Sequence, residues 1–296
     1  MTFDVREACR QRVVLADGAM GTELQKAGLG LGDSGERWNL ERPDRVEAIQ
    51  RAYVEAGCDL IITNSFGANR WVLGRYGLAD RVGDVNRAAA AIARRAAGPR
   101  GVLGDIGPFG GLLAPLGEVT VQEVQQAFLG QAQALLAGGA DGIIIETMGA
   151  LDEAAAAVRA ARAAGAAVII ASMAFDRTRK GDVRTMMGVS PQDAAVALVG
   201  AGADVVGANC GTKMMPPDFV EVVSAMKANV AVPIIVQANA GQPELVDGRA
   251  VYRLSPEQFA AGMREVISAG ASIVGGCCGT TPAHLAALRA AIGEPA

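Results

Sequence analysis

Short apolar runs alternate with longer helical patterns along the whole chain. The runs are RVVLADG (12–18), DLIITNSF (59–66), GVLGDIGPF (101–109), DGIIIETM (141–148), AVIIASMAF (167–175), DVVGANCG (204–211), PIIVQANAG (233–241) and SIVGGCCG (272–279). Each is apolar and β-branched for a few positions and then turns into Gly, Asn, Thr, Asp or Cys. Continuous apolar runs of this length predict strands buried on both faces, as in a parallel sheet. Helical spacing follows in stretches 43–57, 85–97, 121–139, 151–165, 190–202, 255–270 and 281–293. Pro43, Pro191, Pro256 and Pro282 stand where a first helical turn tolerates a missing N–H. Several stretches close on Ala-Gly or Gly-Gly just before the next run. Eight strand–helix units in 296 residues predict an α/β fold, a single (β/α)8 TIM barrel over residues 1–296. The rival is an open doubly wound sheet, but no G-x-G-x-x-G follows the first strand. Polar residues also end all eight strands instead of gathering at one switch point.

Composition narrows the function classes. With 51% hydrophobic and 20% charged residues the chain is not disordered. A net charge of −4 without any basic block argues against nucleic acid as a partner. The longest uncharged stretch, Val266 to Leu288, carries glycines, two cysteines, a proline and a histidine, so it is a poor bilayer helix and no membrane is expected. The opening MTFDVREACRQ has no apolar signal region, so a cytoplasmic location is expected. Five cysteines, an odd number, argue against a disulfide framework. The sequence leaves a homo-oligomer open.

Barrel active sites lie at the C-terminal ends of the strands. The residues to weigh there are Asp17-Gly18, Thr63-Asn64, Asp105, Glu146-Thr147, Asp176, Asn209-Cys210, Gln237 to Asn239 and Cys277-Cys278. Cys210 ends the sixth strand; Cys277 and Cys278 end the eighth, so all three share the rim. Adjacent cysteines face opposite sides of a regular strand. Both reach one metal only where the strand has ended, and GGCCG permits that. Three thiolates suit Zn²⁺ and leave a fourth position open, as in catalytic sites. Zinc with three thiolates is a poor Lewis acid for hydrolysis. It still holds a fourth sulfur as a nucleophilic thiolate, against a free thiol pKa of about 8.5, which favours alkyl transfer to a thiol over water activation. A redox pair and inert packing are the alternatives. The first lacks Cys-x-x-Cys spacing, and the second leaves a vicinal pair at a strand end unexplained. Cys9 and Cys58 read as packing residues.

The other rim groups are weaker alone. Asp17 to Thr22 suits a polar substrate head, or equally a turn with a helix cap. Glu146 follows three isoleucines; a carboxylate there wants a partner, either a substrate ammonium or an arginine. The only histidine, His284, reads as an exposed helix residue.

Taken together the motifs resemble the zinc-dependent homocysteine S-methyltransferases. The matching segments are LADGAMGTELQ (15–25), TNSFGANR (63–70), YGL (76–78), GDIGPFG (104–110), IETM (145–148), TMMGVSP (185–191), GANCG (207–211), QANAGQP (237–243) and GGCCGTTPAHL (275–285), in order across nearly the whole chain. The resemblance implies a barrel with Zn²⁺ on Cys210, Cys277 and Cys278, L-homocysteine as substrate and methionine as product. It places Asp17, Gly18, Glu146 and Thr147 around homocysteine, and Asn209 behind the metal ligands.

Family members take the methyl group from glycine betaine, from S-methylmethionine or from methylcobalamin on another module. The chain ends soon after the GGCCGT helix, which favours a stand-alone enzyme with a small donor. A quaternary ammonium wants aromatic faces, and Phe66, Trp71, Tyr76 and Phe109, with Asn64, are the candidate donor site. TNSFGANR and YGL also look like the methionine-synthase type, which would make a corrinoid protein the partner. The segment 240–252 resembles a loop in both types. A non-catalytic zinc- or thiol-binding barrel is the alternative of another class.

Overall fold

The computed structural model describes residues 3–246 and 249–293. Asp247 and Gly248, inside the 240–252 segment, lie outside the described residues. The eight apolar runs form eight parallel strands: β1 (Val14–Leu15), β2 (Leu60–Ile62), β3 (Gly101–Ile106), β4 (Gly142–Met148), β5 (Ile169–Ala174), β6 (Val205–Cys210), β7 (Ile234–Ala238) and β8 (Ile273–Gly276). Neighbours in sequence pair in space, β8 pairs with β1, and an Ala16–Leu60 bridge closes β1 on β2. This is the (β/α)8 barrel that the alternation predicts.

The two-residue period of a strand sorts the side chains. Val14, Leu60, Leu103, Ile144, Ile170, Val205, Ile235 and Ile273 share one buried cluster, the barrel interior. Their alternates, such as Val102, Ile143, Ile169 and Val206, pack in the cluster shared with the helices. Two residues above the interior layer, the inward positions turn polar: Asp105, Glu146, Ser172 and Gln237. The apolar base makes the barrel stable, and the polar layer above it becomes the floor of a site. Helix Val5–Gln11 closes the other end, with Val5 and Phe3 on the interior cluster.

The seven predicted helices form, and Pro43, Pro191, Pro256 and Pro282 each open one. The eighth, Phe219–Lys227, was not among those predicted. Its three valines blur the local preference, although Phe219, Val222, Val223 and Met226 are buried at helical spacing. Two small hairpins, 176–184 and 244–251, rise from the loops after β5 and β7.

A repeated device secures the closed end. The residue just before β2, β4 and β6 is Asp59, Asp141 and Asp204. Each carboxylate accepts the N–H of a neighbouring strand, from Leu15, Val102 and Ile169 respectively, at 2.8 Å. Each also pairs with a helix arginine, Arg289, Arg94 or Arg162. Arg12 adds a second pair to Asp59 at 2.7 Å. Among the described residues no helix is long and apolar enough to cross a membrane.

Candidate active site

The open end of the barrel holds a cavity of about 740 Å³. Its wall includes Asp17, Gly18, Asn64, Glu146, Thr147, Cys210, Cys277 and Cys278, so the expected homocysteine and metal residues converge.

The three sulfurs lie within 4.8 Å of one another. Local backbone explains how. β8 ends at Gly276, and Cys277 to Thr280 form a turn in which the Cys277 carbonyl accepts the Thr280 hydroxyl at 2.7 Å. The vicinal pair therefore leaves the strand pleat and brings its sulfurs to 4.0 Å. Gly279 has φ 78°, and a Cβ there would meet the Tyr252 ring at 2.2 Å, so glycine is required. Cys210 itself is left-handed, with φ 59°.

Asparagines back the sulfurs. Asn209 donates to the Thr147 hydroxyl at 2.6 Å, and its Oδ1 accepts the Thr147 N–H and the Ser172 hydroxyl, both at 2.8 Å. So held, its Nδ2 faces Cys277 Sγ at 3.9 Å. Asn239, not singled out as a support, faces Cys210 Sγ at 3.7 Å. Hydrogen bonds from Cys210 and Cys277 hold Cys278 as a thiolate, pulling its pKa down to about 3. Cys277 is pushed well above its usual range by the same contacts and by burial. Three crowded sulfurs ionise together only beside a cation.

The same cavity wall holds the carboxylates of Glu146, half-buried, and Asp17, buried. A register shift in β4 between Ile145 and Met148, with Thr147 at φ 61°, presents Glu146 to the cavity. Burial and the nearby Cys210 push its pKa up to about 7, against a weak bond from Gln237 at 3.4 Å. No arginine meets Glu146 among the described residues. Burial also raises Asp17, although its Oδ2 accepts the Ile62 N–H at 2.9 Å. Gly18 packs where a Cβ would meet the Thr280 hydroxyl at 2.7 Å.

The expected donor site divides. Asn64, Phe66 and Tyr76 line the cavity, joined by Tyr252. Trp71 and Phe109 do not: they pack edge to face at 5.4 Å and border a separate shallow groove. Phe109 is buried, and its N–H is tied to Glu153 at 2.7 Å. Asn64 spends its amide on Gly35 and Asn39, bracing the loop. Asp176 is also engaged elsewhere, accepting from Thr212 and Lys213. His284 is not exposed as expected. It is buried, with one ring nitrogen at the Thr281 cap and the other on the Leu254 carbonyl at 2.9 Å. Cys58 is buried beside the core as expected, and Cys9 is partly buried.

Methionine synthases of Mycobacterium leprae (strain TN) and Mycobacterium tuberculosis (strain ATCC 25618 / H37Rv) are each 38% identical to the chain over 98% of its length. The match covers 25% of each relative, so the chain spans about a quarter of the length of the curated relatives it matches. The metallated form of the Escherichia coli homocysteine methyltransferase MmuM superposes with a TM-score of 0.78 at 26% identity, over 95% of this chain and 96% of that one. The carboxyl transferase domain of Rhizobium etli pyruvate carboxylase, at TM-score 0.52 and 13% identity over 92% of this chain and 41% of that one, shares the fold alone. The family model described as Homocysteine S-methyltransferase matches residues 14–292. With that match spanning the barrel and its three cysteines, the chain belongs to the homocysteine S-methyltransferase family.

Proposed function

We propose that this barrel methylates homocysteine at sulfur to give methionine, with Zn²⁺ on Cys210, Cys277 and Cys278. One observation carries this: three sulfurs within 4.8 Å of one another share the wall of a single cavity with the carboxylates Asp17 and Glu146. The donor set fits zinc, being soft, threefold and open on the cavity side. When bound, zinc supplies the positive charge that lets the cysteines and a substrate thiol lose their protons near neutral pH. Asn209 and Asn239 orient the ligand sulfurs, and Thr147 acts through its clasp on Asn209. Glu146, with Asp17 and Gly18, takes the amino-acid head. A substrate ammonium beside Glu146 favours its ionised form and offsets the cost of burying it.

For the donor, the weight moves from a small molecule toward methylcobalamin on a corrinoid partner. The methionine synthases share 38% identity against 26% for MmuM. Exposed apolar side chains crowd the cavity-side loops, among them Leu31, Leu112, Leu116, Met186 and Leu245. Such a rim suits a macromolecular donor. A small donor such as glycine betaine is the second reading. It is favoured by the aromatic faces of Phe66, Tyr76 and Tyr252 in the wall.

Metal content tests the site. Protein purified reduced and without chelator is expected to carry about one zinc per chain, lost in Cys210→Ala with the fold retained by circular dichroism. Zinc retained both there and in Cys277→Ala would place the metal elsewhere and overturn the assignment.

A further inference from the structure

We infer that Asp105 is a third carboxylate for the substrate's ammonium group, acting with Glu146 and Asp17. The inference rests on the cavity taking homocysteine, and it adds a residue to that function.

In β3 the inward side chains are Leu103, which belongs to the interior cluster, and Asp105, one layer above it at the cavity floor. On the adjacent strand β4 the same alternation gives Ile144 and then Glu146. Asp105 and Ile144 are direct register partners. The segment after β1 and strands β3 and β4 thus bring three carboxyl groups to the cavity, and the ends of β6 and β8 bring the three sulfurs to the same cavity. A ligand with a thiol at one end and an ammonium at the other bridges the two groups.

The hydrogen bonds of Asp105 separate its backbone from its side chain. The N–H donates to the Thr63 hydroxyl at 2.9 Å, and the carbonyl accepts from Ser65 at 2.8 Å and Gln131 at 3.4 Å. The main chain is fully engaged and needs nothing from the carboxyl group. That group is 4% exposed, and its Oδ1 is buried without a partner. Asp17 differs, since one of its oxygens holds the Ile62 N–H and so serves the fold. Glu36 in the same wall likewise holds the Gly67 N–H and the Ser34 hydroxyl.

A buried carboxyl group without a bond is costly. Burial pushes Asp105 well above the ordinary carboxylate range, and repulsion from Glu146, Glu36 and Asp17 adds to this. No cation among the described residues relieves any of the floor carboxyls. A cationic group on the ligand is what would let these carboxyl groups ionise. An amino acid supplies one positive group of the right kind, with three N–H donors for three carboxylates.

The test compares two thiols on zinc-loaded protein by titration calorimetry. L-homocysteine carries the ammonium; 4-mercaptobutanoate has the same chain without it. Wild type is expected to prefer homocysteine. Asp105→Asn is expected to reduce that preference by about tenfold, the scale of one charge-assisted bond, while leaving 4-mercaptobutanoate affinity and zinc content unchanged. Asp105→Ala should behave alike. An unchanged preference in both variants, with zinc retained, would overturn the inference. So would failure of both variants to fold, since the carboxyl group would then be structural. If wild type bound 4-mercaptobutanoate as well as homocysteine, or bound neither, the underlying homocysteine function would fail instead.

Discussion

Thr147 and Cys210 carry the only positive φ angles outside glycine among the described residues, and both belong to the cavity wall. A side chain in that region costs on the order of 1 kcal/mol or more. Here the cost is offset by what it places: a clasp on Asn209 and a sulfur aimed at two others. Vicinal cysteines followed by glycine announce such a site in the sequence, because a regular strand would separate them. The supports were less legible. Asn209 precedes Cys210 in sequence yet faces Cys277, because Thr147 and Ser172 fix its amide. Asn239 reaches Cys210 from the end of the neighbouring strand β7, and Tyr252 reaches the Cys277–Thr280 turn from the loop after the 244–251 hairpin. Glu146 is the residue whose role is tested most simply. Glu146→Gln is expected to weaken homocysteine binding by about tenfold, through loss of one charge-assisted bond, with zinc content unchanged. Equal affinity in a calorimetric titration would remove it from the ammonium site.

At the scale of elements, every barrel strand was visible as an apolar run, because strands buried on both faces cannot hide their composition. The loops were not visible. Short hairpins and single-turn helices depend on tertiary contacts that leave no period. The aromatic cluster shows the same limit: Trp71 and Phe109 pack on each other away from the cavity, and nothing in their spacing sets them apart from Phe66. The aspartate staples do have a signature, an Ala-Gly or Gly-Gly pair followed two residues later by Asp, which joins each helix end to the next strand. The Asp59 staple is the most buried and holds two arginines. Its carboxyl sits below the ordinary range: burial raises it, but Arg12, the Leu15 N–H and Arg289 outweigh that. A depressed carboxyl stabilises the fold above its unfolded pKa, about 4, and that stability is lost as pH falls through the folded value. Asp59→Asn leaves Arg289 buried without its partner and should cost about 3 kcal/mol at pH 7. In urea melts that deficit should shrink toward pH 3. Asp141→Asn should cost less, because Arg94 is a third exposed. Equal small losses at both sites would show that these pairs do not hold the barrel closed.

The whole molecule separates stability from chemistry along the barrel axis. Aspartate–arginine staples and an aliphatic interior occupy one end; sulfurs, carboxylates and amides occupy the other, beneath loops that expose apolar side chains. The cavity of about 740 Å³ lies at this second end, between the strand ends and the loops above them. The most direct measurement is methionine formation by the zinc-loaded chain with L-homocysteine, supplied in parallel with methylcobalamin and with glycine betaine, and with Cys210→Ala as control. Methionine is expected with at least methylcobalamin and is expected to vanish in the variant. Zinc and homocysteine bound, but no methionine from either donor, would contradict methyl transfer at this site and leave a barrel that only binds.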